Sequence, residues 1–148
     1  MNYTLHDGQQ IVVNRVVYKL HEPERGDIIV FYPPDNGKEE YIKRIIGLPG
    51  ESVEIKNGVV YIHKKSGAVM PLTEHYVTNL ARSDFEGEKI PATEYFVLGD
   101  NRNNSSDSRT GWTVPFPNII GKAWISVWPP SSWGLVVNYL ENEQRKSY

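Results

Sequence analysis

Short apolar runs rich in β-branched residues are divided by Gly, Pro and Asn along most of this chain, which is the punctuation of a β protein. Ile11-Val12-Val13-Asn14-Arg15-Val16-Val17-Tyr18 predicts a strand, and Asp27-Ile28-Ile29-Val30-Phe31-Tyr32 a second one, closed by Pro33-Pro34. Glu40 to Leu48 predicts a third, ended by Pro49-Gly50. The clearest signal follows: Ser52 to Lys56, the pair Asn57-Gly58, then Val59 to His63, a hairpin whose Asn-Gly supplies the positive φ angles of a two-residue turn. Residues 64–93 are more polar and irregular and are expected as an insertion between core strands. Glu94 to Leu98 and Ile119 to Trp128 complete the strand set, and the charged tail of about 138–148 predicts a short or frayed helix. The pattern is that of one domain over 1–148, mainly β, built as a folded antiparallel sheet or barrel system with a core of about 1–63 and 94–137.

Composition narrows the function. Lys and Arg number 16 against 18 Asp and Glu, a net charge of -2, with no basic cluster, so nucleic acid is not an expected partner. The chain has no cysteine, which excludes a disulfide, a zinc-thiolate site and a thiol nucleophile. His6, His21, His63 and His75 have no ligand-like spacing, and no metal is expected. No apolar run reaches the ~18–20 residues of a membrane helix. The abrupt start at Met1-Asn2-Tyr3-Thr4-Leu5 suits a piece of something longer.

Two segments carry candidate chemistry. From Gly99 to Arg109 every residue after the glycine is polar or charged, and the segment leaves directly from the apolar run Tyr95-Phe96-Val97-Leu98. A turn needs two or three such residues. Asp100, Arg102, Ser105, Ser106, Asp107, Ser108 and Arg109 exceed that need, and each brings donors or acceptors that must find partners if the loop packs down. Asp100, Asn104 and Asp107 would also suit a calcium loop, but Arg102 and Arg109 put positive charge among them and the glutamate of that motif is missing.

The second segment is Tyr41-Ile42-Lys43-Arg44-Ile45-Ile46. With a period of two, Tyr41, Lys43 and Ile45 share one face of the strand, while Ile42, Arg44 and Ile46 share the other. One basic residue must therefore face whatever the sheet covers. Either the pair protects an edge strand from aggregation, or a lysine is kept in apolar surroundings. Burial disfavours the ammonium, so a pKa of about 10.4 falls and a neutral amine can take a proton from a hydroxyl.

Arg25-Gly26-Asp27-Ile28-Ile29-Val30-Phe31, Lys43 to Glu51 and Gly99 to Arg109, in that order, resemble the signature blocks of bacterial type I signal peptidases, serine endopeptidases that use a Ser/Lys dyad. The opening Met1 to Leu5 with Gly8 and Ile11 to Arg15 resembles the block after that family's nucleophile, and Trp128-Pro129 also fits. The resemblance implies that Lys43 is the general base and that Ser105 helps to orient it. It also implies an Asp107–Arg109 ion pair and places Arg44 among the supporting residues. Tyr41 and Ile42 would lie on the strand that pairs with substrate backbone, and Met1, Leu5 and Ile42 would line pockets for small residues before the cut. No cofactor is implied.

The resemblance further implies preprotein signal peptides as substrates, a membrane surface as partner, and a place on the outer side of the cytoplasmic membrane. Trp124, Trp128 and Trp133 with Pro129-Pro130 are candidates for lipid-headgroup contact or for core packing. Several positions depart from the family pattern: Tyr3 replaces a proline, Gln9 an acid, and Asn103 an acid of the loop. The family's nucleophilic serine precedes the position matched by Met1, and none of the chain's own serines matches it. The polypeptide as written is therefore expected to be inactive. A naturally nucleophile-free peptide-binding or regulatory relative is the alternative reading.

Overall fold

The structure is a computed structural model and describes residues 10–35 and 37–136. The expected C-terminal tail, and Met1, Tyr3, Leu5 and Gln9, lie outside the described residues. Strand β1 (Gln10–Asn14) is shorter than its apolar run, because the strand expected to reach Tyr18 stops at Asn14 and Val17–Leu20 form the short helix α1. The cause is local. The Asn14 side-chain oxygen accepts from the backbone N–H of Val16 at 2.9 Å and of Val17 at 3.1 Å, which turns the chain before the β-branched residues can extend.

β2 (Ile28–Phe31) and β3 (Tyr41–Gly47) pair antiparallel, with Ile29 opposite Lys43 and Val30 opposite Ile42. β4 (Ser52–Lys56) and β5 (Val59–His63) form the predicted hairpin, and Asn57 and Gly58 take φ angles of 50° and 79°. Residues 64–93 contribute two short strands to this second sheet: β6 (Val69–Pro71) on β5 and β7 (Phe85–Glu86) on β4. β8 (Glu94–Leu98) returns to β3, and β9 (Val114–Pro115) pairs with β8. β10 (Ile119–Trp128) lies between β1 and β2, with β11 (Gly134–Leu135) also on β10. The result is a seven-stranded sheet, in the order β1-β10-β2-β3-β8-β9 with β11 as the seventh strand on β10, and a four-stranded sheet β6-β5-β4-β7. Every pairing is antiparallel and the sheets stay open, so the mainly β expectation holds without a closed barrel.

β3 divides the core. Ile45 packs on one side with Ile29, Phe31, Tyr95, Val97 and Val114. Ile46 packs on the other with Val53, Ile55, Val60, Ile62, Phe96 and Leu98, joined by Ala81 and Ile90 from residues 64–93. Burying each large aliphatic side chain contributes roughly 1.5–3 kcal/mol. Among the described residues no helix is long and apolar enough to cross a membrane.

Candidate active site

Lys43 lies near the start of β3, half-buried, on the face it shares with Ile45 and opposite Ile29. The loss of water around it lowers its pKa below the usual lysine value of 10.5, and the negative charges of Asp107 and Asp100 oppose that shift without cancelling it. Among the described residues no carboxylate reaches its Nζ. Its recorded neighbour is the ring of Tyr41, with Nζ 5.3 Å from the centroid.

The polar loop meets this lysine at Gly99. β8 pairs with β3 as far as Leu98 opposite Arg44, so Gly99 falls beside Lys43 just past the end of the ladder. Gly99 has no room for a side chain. A Cβ there would overlap the Oγ of Ser105, stand 2.7 Å from the Ser105 Cβ, and meet the Lys43 Cδ at 3.7 Å. Ser105 and Lys43 thus flank one glycine. The Ser105 Oγ is buried with no hydrogen-bond partner, and no hydrogen bond joins it to Lys43 among the described residues. An orphaned buried hydroxyl is costly unless a task explains it.

Asp107 is fully buried and organises the loop. One carboxylate oxygen accepts from the Arg109 Nε at 2.8 Å, and the other accepts from the Arg109 Nη2 at 2.9 Å and the Gly99 N–H at 3.1 Å. Arg44 projects from the opposite face of β3 and forks onto Asp100 at 3.0 and 2.8 Å, with both side chains fully buried. Its Nη1 donates to the Gly26 carbonyl at 3.0 Å. These partners argue against a calcium loop, since guanidinium groups occupy the carboxylates of both Asp100 and Asp107. Ile42 packs toward Ile28 and Ala123. Residues 41–43 pair with β2 on one side and have no strand partner on the other among the described residues.

Sequence reasoning missed a second layer. Arg102 is buried and forks onto Glu74 at 2.8 and 2.5 Å, while its Nε donates to the Gly99 carbonyl at 3.2 Å. Tyr76 donates from its hydroxyl to Glu74 at 2.6 Å and lays its ring 3.9 Å from the Arg44 guanidinium carbon. Glu74 and Tyr76 come from residues 64–93, far from the loop in sequence. The sequence offered no hint of them, since the loop's two arginines are matched in number by its two acids, Asp100 and Asp107.

Residues 1–128 match the family described as signal peptidase, peptidase S26. A probable signal peptidase I-1 of Synechocystis sp. is 41% identical over 138 residues, covering 88% of this chain and 68% of that protein. A signal peptidase I of Bacillus amyloliquefaciens is 42% identical over 137 residues, covering 85% and 68%. The crystal structure of a signal peptidase I from Enterococcus faecalis V583 is similar with a TM-score of 0.59 and 35% identity, covering 69% of this chain and 97% of that one. The chain belongs to the signal peptidase family, peptidase S26. It spans about two thirds of the length of the curated relatives it matches.

Proposed function

We propose that this chain is the extracytoplasmic catalytic portion of a type I signal peptidase in which Lys43 is the general base. The observation that carries the reading is a half-buried lysine with a lowered pKa, packed beside Gly99 and the partnerless hydroxyl of Ser105. The uncharged amine takes the proton of a serine hydroxyl as that oxygen adds to the scissile carbonyl. It then returns the proton to the departing peptide nitrogen, which leaves an ester on the serine. Water, deprotonated by the same amine, releases the acyl group and restores the hydroxyl. Ser105 limits where the amine can sit, and Asp107, Arg109, Arg44 and Asp100 hold the loop and strand that carry these groups. The unpartnered side of residues 41–43 suits an extended preprotein segment added as a further strand, with Ile42 there to meet small side chains before the cut; the resemblance assigns Met1 and Leu5 to the same task.

The resemblance places the attacking hydroxyl on the residue ahead of Met1. With a serine directly before Met1, a signal-peptide substrate with alanine before the cut is cleaved, and Lys43→Met lowers kcat by roughly 10²–10⁴-fold. Turnover that survives this replacement would overturn the assignment. The setting is the outer side of the cytoplasmic membrane, and exposed Trp124, Trp128 and Trp133 support contact with a lipid surface.

A further inference from the structure

Gly99 is clamped from both sides. Its N–H is held by Asp107, and its carbonyl by Arg102, whose own carbonyl accepts from the Arg109 Nη2 at 2.7 Å. Moving Arg102 therefore moves both the wall against Lys43 and the Asp107–Arg109 pair. Within the loop the Arg102 side chain donates to the Gly99 carbonyl and feels the charge of Asp100. Its two terminal nitrogens are taken by Glu74, from the segment that leaves β6.

A second stitch lies a few residues away. The Asn103 side-chain amide donates to the Leu80 carbonyl at 3.0 Å and accepts from the Arg82 N–H at 3.1 Å. Residues 74–82 thus grip the polar loop at two consecutive positions, Arg102 and Asn103. They also cap Arg44 through the ring of Tyr76.

We infer that residues 74–82 act as a strap that positions the Lys43 site, with Glu74 as its main anchor: by holding Arg102 it fixes the Gly99 backbone against which Lys43 and Ser105 pack. This rests on the reading of Lys43 as the base. Glu74 touches neither Lys43 nor any reacting group, so it is a positioning residue. The strap also accounts for Asn103 standing where the family pattern has an acid. A carboxylate could accept from Arg82 but could not donate to Leu80.

The charges that act on Lys43 are those of Asp107 and, from its pair with Arg44, Asp100; the Tyr41 ring lies beside it on its own strand, and β2 sets Ile29 opposite. Loss of the Glu74 charge would, through space, push the lysine pKa further down, because an anion is removed. Loosening of the Gly99 wall admits water and pushes it up. The sign separates the two.

The test is the titration of the Lys43 ε-amine, followed by side-chain NMR in the full chain for wild type, Glu74→Gln, Tyr76→Phe and the exposed charge control Glu88→Gln. The expected result is a depressed wild-type titration that moves up toward 10.5 in Glu74→Gln, moves the same way but less in Tyr76→Phe, and does not move in Glu88→Gln. A lower melting temperature with an unmoved Lys43 titration in both Glu74→Gln and Tyr76→Phe would leave the strap purely structural and overturn the inference, while the reading of Lys43 stands. If Glu74→Gln does not fold, Tyr76→Phe decides by the same criterion. A wild-type amine titrating at the ordinary lysine value overturns both ideas.

Discussion

An ammonium at position 43 gives up much of its water to sit opposite Ile29, and the loop's two carboxylates do not restore what it loses. The folded pKa is lowered, so between that value and 10.5 the unfolded chain binds the proton that the folded one has released. Stability therefore rises with pH across this window, and the cost of the lysine is greatest below it, where both states are charged. Lys43→Met, similar in length and without the charge, is accordingly more stable than wild type at neutral pH, and its advantage shrinks as pH climbs toward 10.5. Thermal melts of both proteins at a series of pH values check this, and an advantage that does not change with pH refutes it. At this scale the candidate site was partly legible. Lys43 stood out because a period of two forces either it or Arg44 onto a covered face, and Asp107 with Arg109 form a pair two residues apart. Glu74 gave no sign, because nothing local distinguishes an acid that will pair across 28 residues from one that will face solvent.

Elements form where side chains permit the backbone pattern, and two places along this chain show how one residue decides. Asn57-Gly58 was readable as a hairpin because positive φ at consecutive positions is a demand few residues meet. Asn14 was not readable as a strand end, because the apolar run continues past it and only its side-chain bonds to Val16 and Val17 break the strand. The short strands β6 and β7 escaped the pattern for another reason. Each is two or three residues long and exists by pairing with an edge of the β4–β5 hairpin, a tertiary effect. Asn103 belongs here too, since its amide joins the polar loop to residues 80–82. Asn103→Asp retains the acceptor for Arg82 but sets a carboxylate against the Leu80 carbonyl. The loss of one exposed hydrogen bond with new repulsion costs about 0.5–1.5 kcal/mol. Urea unfolding should report a lower midpoint with an unchanged m-value, and an Asn103→Asp protein as stable as wild type would show that this stitch carries no weight.

The whole molecule joins two open sheets at β3 and β8, and one consequence is an unequal surface. The mainly β, antiparallel character followed from the spacing of short apolar runs, whereas the order of strands did not, because β10 inserts between β1 and β2 only once the chain has returned from the far sheet. That return leaves the end of β10 and the turn to β11 rich in exposed apolar groups: Trp124, Val127, Trp128, Trp133 and Leu135. The sequence left these tryptophans open between core and lipid contact, and their exposure weakens the first option. A soluble surface gains nothing from three half-bare indoles, whereas an interface lets the ring bury while its N–H stays wet. Since the chain carries a net charge of only -2, attraction to anionic lipid is not the driving force, and binding should rest on indole burial. The chain is therefore expected to co-sediment with zwitterionic phosphatidylcholine vesicles and to shift its tryptophan emission to the blue. The binding should persist at high salt, because screening weakens charge contacts and spares apolar ones. Trp124→Ser combined with Trp133→Ser should abolish it with at most a small loss of melting temperature, since both side chains are at least half exposed and only the Trp133 indole N–H, which donates to the Val127 carbonyl, is bonded within the fold. Binding that vanishes with salt, or survives the double replacement, would place the lipid contact elsewhere on the molecule.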